Sequence, residues 1–162
     1  MSNLNNQFPA HFREFISQLN TAEVEYLLIG RYAMGIYGHI RATSDLDIYI
    51  NATDINAEKV MRACIKYGIR SEDLDKSMFL VPKIIGIGEP PLRIKLLKQL
   101  DQIDFSYAFS RAISKKINDL EIKVISLDDL ILLKKAAVTN RKAARDEEDL
   151  SFLEKLKKSS VE

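Results

Sequence analysis

The chain predicts one layered α/β domain, on three observations. Residues 25 to about 65 run in the order strand, helix, strand, helix; its 162 residues, 46% of them hydrophobic, are enough for one sizeable core; and its charged C-terminal stretch carries leucines at helical spacing. The expected architecture is a core over about residues 22–138, an N-terminal helix over 9–20 and a C-terminal helix over about 142–158 packed on the body, all within a single domain spanning 1–162.

Phe8, Phe12, Phe15, Ile16 and Leu19 recur at helical spacing, and Pro9 suits a first turn, so residues 9–20 predict an amphipathic helix. Glu25 to Ile29 is a short apolar run closed by Gly30, the pattern of a buried strand. Residues 31–37 suit a short helix that Gly38-His39 ends. A strand follows over 44–50, then a helix opened by Thr53 or Asp54, with Ala57, Val60, Met61, Cys64 and Ile65 on its inner face. Met78 to Val81 and Ile84 to Ile87 are apolar enough for short strands, but Pro82, Gly86, Gly88 and Pro90-Pro91 confine them to an edge or a hairpin. Leu92 to Leu97 predicts a strand with Leu92, Ile94 and Leu96 on one face and Arg93 and Lys95 on the other. Phe105 to Ala112 predicts a short helix, and Glu121 to Ile125 a last strand. Ser126 with Asp129 forms a capping pattern for a helix through about residue 138. From Arg141 to Lys158, Leu150, Leu153 and Leu156 mark one apolar side of a final helix.

Lys plus Arg number 24 against 23 Asp plus Glu, a formal net charge of +1. Such a balance offers no long-range field to a nucleic acid or a membrane. The single cysteine, Cys64, reads as packing, and no disulfide framework exists. No basic-then-apolar leader opens the chain and no apolar run approaches a membrane span, so the expectation is a cytoplasmic protein with no membrane partner.

The chemistry concentrates in GRYAMGIYGHIRATSDLDIYI, residues 30–50. Asp45 and Asp47 are one residue apart on a strand, so both carboxylates project to one face while Leu46, Ile48 and Ile50 face the core. Two readings are open: a site for a hard cation such as Mg²⁺, or a solvated strand face. Gly30-Arg31 lies where a strand hands over to a helix, so backbone N–H groups there can face a phosphate; ordinary turn chemistry is the other reading. His11 and His39 form no zinc spacing with Cys64, and Ser44 has no histidine placed to activate it. Lys115-Lys116 and Lys157-Lys158 are too short to mark a nucleic-acid surface.

The glycine turn, the spacing from Arg31 to Asp45 and the Asp-Leu-Asp-Ile strand together resemble the signature of the nucleotidyltransferase superfamily. Arg41-Ala42-Thr43, PPLRIKLL at 90–97, IDF at 103–105, VISLDDLILLKKAA at 124–137 and Arg145-Asp146 with Asp149-Leu150 extend the likeness to small bacterial nucleotidyltransferase-like proteins. The resemblance implies a mixed β-sheet flanked by helices, with a nucleoside triphosphate such as ATP between the Gly30 turn and the carboxylate strand. It also implies that Asp45 and Asp47 are catalytic and hold two Mg²⁺ ions, or Mn²⁺, which orient the triphosphate and activate an acceptor hydroxyl. Gly30, Arg31 and Lys134 are the nucleotide-binding residues it implies, with Lys134 either reaching phosphate or simply lying on a solvated helix surface.

Two positions depart from the superfamily pattern. Arg31 stands where a small Gly or Ser is usual, so it either binds phosphate or blocks it. Lys95 stands where relatives resemble RIDLL, with a third carboxylate; its ammonium reverses that charge and can pair with Asp45 or Asp47 in place of a metal. Asp101 and Asp104 are near in sequence but not at the matching strand position. Two functions follow. One is a nucleotidyltransferase-like enzyme moving a nucleotide from NTP to a hydroxyl on protein, RNA or a small molecule. The other is a catalytically degenerate nucleotidyltransferase fold acting as a nucleotide- or protein-binding module with a cognate protein partner, as in a toxin-antitoxin-like pair. A general RNA-binding domain is disfavoured by the neutral charge.

Overall fold

The structure, a computed structural model, describes residues 8–43 and 45–161. Six strands form one mixed sheet, flanked by helices. In chain order the elements are α1 (Ala10–Thr21), β1 (Tyr26–Ile29), α2 (Gly30–Ile36), β2 (Asp45–Ile50), α3 (Asp54–Tyr67), β3 (Ile85–Ile87), β4 (Arg93–Leu97), α4 (Phe105–Ser110), β5 (Ile113–Ile117), β6 (Leu120–Val124), α5 (Leu127–Arg141) and α6 (Ala144–Val161). Across the sheet the strands run β3-β4-β2-β1-β6-β5. β1 pairs antiparallel with β2 and parallel with β6, while β2 pairs parallel with β4. The mixed sheet and the docked C-terminal helix agree with the fold class expected from the sequence.

All four residues of β1 are buried, as its unbroken apolar run requires of a central strand. β2 instead alternates at its start, Asp45 and Asp47 half-buried and Leu46 and Ile48 fully buried, before ending in the core. α1 lays Phe12, Phe15, Ile16 and Leu19 against the sheet. Thr53 caps α3 by accepting from the Asn56 N–H at 3.2 Å, and Ser126 caps α5 by accepting from the Asp129 N–H at 3.1 Å.

Three local expectations are corrected. Met78 to Val81 is not a strand: Lys76–Phe79 is a 3₁₀ turn capped by the Asp75 side chain, which drops Phe79 into the core. Ile65 is 44% exposed, because it lies one step past Cys64 around α3 and off the buried stripe. β5 was not expected at all. It is an edge strand exposed along its first four residues, so Ser114, Lys115 and Lys116 leave no apolar alternation to read. Asn118 and Asp119, both at positive φ, make the two-residue turn that joins it to β6.

Candidate functional site

Parallel pairing of β2 with β4 sets the centre of the site. Asp45 lies opposite Arg93 and Asp47 opposite Lys95, so two carboxylates and two cations share one sheet face. Arg93 donates from Nε to Asp45 Oδ1 at 2.8 Å and from Nη2 to Oδ2 at 3.3 Å, a two-pronged contact that holds the Asp45 carboxyl below the usual carboxylate range. The Lys95 ammonium stands between the two acids, 3.7 Å from Asp45 Oδ2 and 3.8 Å from Asp47 Oδ1. Burial pushes the Asp47 carboxyl up, and the opposing pull of Lys95 does not cancel it. Asp47 Oδ1 is buried and, among the described residues, accepts no hydrogen bond.

Gly30 closes the site from β1. Its φ is +72°, and a Cβ there would stand 2.6 Å from Asp47 Oδ2. A side chain is therefore excluded twice, by backbone conformation and by the carboxylate beside it.

Arg31 and Lys134 come together beside this centre, on a carboxylate of the last helix. Asp149 of α6 is fully buried; Arg31 Nη2 binds its Oδ2, and Lys134 Nζ lies 3.0 Å from the same oxygen. His39 Nε2 is 3.2 Å from Oδ1, and Arg41 Nη2 is 3.9 Å from it while also pairing with Glu148. Burial pushes the Asp149 carboxyl up, but the hydrogen bonds from Arg31 and Lys134 outweigh it and hold it down. Burial lowers His39, with the Arg41 charge acting in the same direction. Lys134 also reaches Asp146 at 3.4 Å, which Arg141 meets at 3.0 Å.

Residues 9–161 match the family model described as a nucleotidyl transferase of unknown function (DUF2204). The chain belongs to this family. No curated protein matches it. The resemblance to the nucleotidyltransferase superfamily implies a divalent metal, and the donor set decides whether one fits. Both oxygens of Asp45 are engaged by Arg93, Lys95 stands between the acids, and its own position carries no carboxylate. Among the described residues no group of three or more His, Cys, Asp or Glu is placed to hold a metal ion. Asp101 is exposed and Asp104 caps α4 by accepting from the Tyr107 N–H, and neither completes such a group with the acidic pair. These residues do not fit a two-metal centre.

Sequence reasoning singled out Asp45, Asp47, Gly30 and Lys95, and the fold brings all four together. It overlooked Arg93, although strand alternation puts Arg93 on the face of Lys95. It also overlooked Asp149 as a partner of Arg31 and Lys134. The signal was present: Asp146, Asp149, Leu150 and Leu153 recur at helical spacing, which places two acids on the inward face of the last helix. Among the described residues no helix is long and apolar enough to cross a membrane.

Proposed function

We propose that this member of the nucleotidyl transferase family is a nucleotide-binding module whose acidic pair is neutralised by its own side chains, and that it does not carry out two-metal nucleotide transfer. The observation that carries the reading is the Lys95 ammonium between Asp45 and Asp47. Two like charges on one strand face repel unless a cation lies between them; relatives in the superfamily use Mg²⁺, and here an ammonium and a guanidinium from β4 take that place. Four groups of net charge zero bring no metal to a nucleotide, whereas Arg31, Lys134 and Arg41, paired here with acids of α6, are the cations at hand for its phosphates.

The test is calorimetric titration of ATP and GTP into the protein with EDTA, then with Mg²⁺ or Mn²⁺. The expected result is binding that does not depend on metal, together with Mn²⁺ binding gained by Lys95→Asp. Binding by the wild type that requires Mg²⁺ or Mn²⁺ and vanishes in the Asp45→Asn, Asp47→Asn double variant would overturn this reading and return the transferase one. The unpartnered Asp47 Oδ1 is the observation that favours that second reading. Under it, the acceptor is a hydroxyl on protein, RNA or a small molecule; under the first, a cognate protein is the partner.

A further inference from the structure

Asp149 is a carboxylate that has left water altogether, yet it meets nitrogen-bearing side chains from three directions, two of them cations. Arg31 comes from the first turn of α2, Lys134 from α5, and His39 from the turn after α2. Both Arg31 and Lys134 are nearly buried, 13% exposed each, so their positive charge has little solvent to neutralise it and needs an anion. The carboxylate does not use all they offer. Among the described residues Arg31 Nη1 is buried with no hydrogen-bond partner, and Asp149 Oδ1 and His39 Nε2, though close, make no aligned hydrogen bond. A three-oxygen anion has more acceptors than a carboxylate with which to meet such a donor set. Arg31 directly follows Gly30 at the start of α2, so this cluster adjoins the Gly30 turn.

We infer that Asp149 is an intramolecular stand-in for a polyphosphate, and that α6 is a latch that keeps Arg31 and Lys134 occupied until an anionic ligand displaces it. The inference rests on the nucleotide-binding reading above for the identity of the ligand. Besides the carboxylate, α6 is fastened by Phe152, which stacks on the His39 ring with centroids 4.7 Å apart, by buried Leu153, and by ion pairs of Glu148 with Arg41, Asp146 with Lys134 and Arg141, and Lys157 with Asp128. α6 lies outside the sheet, so releasing it breaks no strand pairing. With Lys95 at the cation end and Asp149 at the anion end, the chain fills both halves of its own site.

The probe is inorganic tripolyphosphate, titrated in EDTA into the full chain as wild type, Asp149→Asn and Phe152→Ala. The amide keeps the shape of Asp149 and removes its charge; Phe152→Ala loosens the helix without touching a charge. Either change is expected to tighten tripolyphosphate binding by about tenfold or more, and adding Arg31→Gln is expected to remove the gain. Unchanged affinity in whichever variants fold, with only a lowered melting temperature, would show a structural anchor and overturn the latch. ATP separates the two ideas. If the variants gain tripolyphosphate and neither they nor the wild type bind ATP, the nucleotide reading fails and the latch stands. If all bind ATP equally, the latch fails and the nucleotide reading stands.

Discussion

Gly30 and Asp47 touch so closely that the carboxylate occupies the place a side chain at residue 30 would need, with Oδ2 2.6 Å from an ideal Cβ. Gly30→Ala therefore meets two penalties together. The left-handed backbone costs about 1–2 kcal/mol for a residue with a Cβ, and the contact must be relieved by moving a half-buried acid away from Lys95. A loss of at least about 2 kcal/mol is expected by urea denaturation. Unchanged stability would mean that the turn relaxes and that the contact does not constrain Asp47.

Asp45 and Asp47 are expected to titrate on opposite sides of the ordinary value of about 3.9. Asp45, held low by Arg93, stabilises the fold above that value, and its contribution is lost as pH falls through its lowered folded pKa. Asp47 has the opposite sign. Its folded pKa is raised by burial, so between the unfolded value and the raised one the native state binds the extra proton, and stability falls as pH rises through that window. Carboxyl carbon shifts followed by NMR should show Asp47 protonating first on acidification; the reverse order would contradict this assignment.

Asn56 is 2% exposed and ties three segments together. Its Oδ1 accepts from the Glu25 N–H at 2.8 Å, and its Nδ2 donates to the carbonyls of Glu25 at 3.1 Å and Asn51 at 2.8 Å. Asn56→Leu strands these backbone groups at the start of β1 and the end of β2, and should cost about 2–4 kcal/mol. Thermal denaturation measures it, and a loss below about 1 kcal/mol would show that water replaces the amide.

Lys98, just after β4, is 7% exposed and its Nζ has no hydrogen-bond partner among the described residues. Burial lowers its pKa, so the folded state binds fewer protons here than the unfolded chain. Lys98→Met keeps the volume and removes the charge, and should raise stability on the order of 1 kcal/mol at neutral pH. Between the lowered folded pKa and the unfolded value, rising pH relieves the wild type, so the advantage of the methionine should shrink toward alkaline pH. Denaturation curves at pH 7 and pH 10 give the comparison; a methionine variant that is less stable at both would show that the ammonium is solvated.

The elements that could be read from the sequence are those whose burial forces a pattern. β1 is an unbroken apolar run because it lies mid-sheet, and β2 and β4 alternate because one face carries charge. β5 could not be read that way, since an edge strand under no apolar cover has no reason to alternate. The Asp45/Asp47 pair and the threat from Lys95 were legible because strand geometry is local. What Arg31 and Lys134 bind was not, because their partner lies 118 residues from Arg31 along the chain and only the docking of α6 brings it home.

The parallel register of β2 on β4 has a consequence for how the chain assembles. The partners Asp45 and Arg93 are 48 residues apart, and until β4 arrives Asp45 and Asp47 are like charges on a bare strand. A slip of one residue would set Ile94 and Leu96 against the two acids and drive Arg93 and Lys95 into the hydrocarbon layer. Such a slip is thus penalised on both faces of the sheet at once. The same four charges act as a proofreading device, rejecting a slip of β4 along β2 by an odd number of residues.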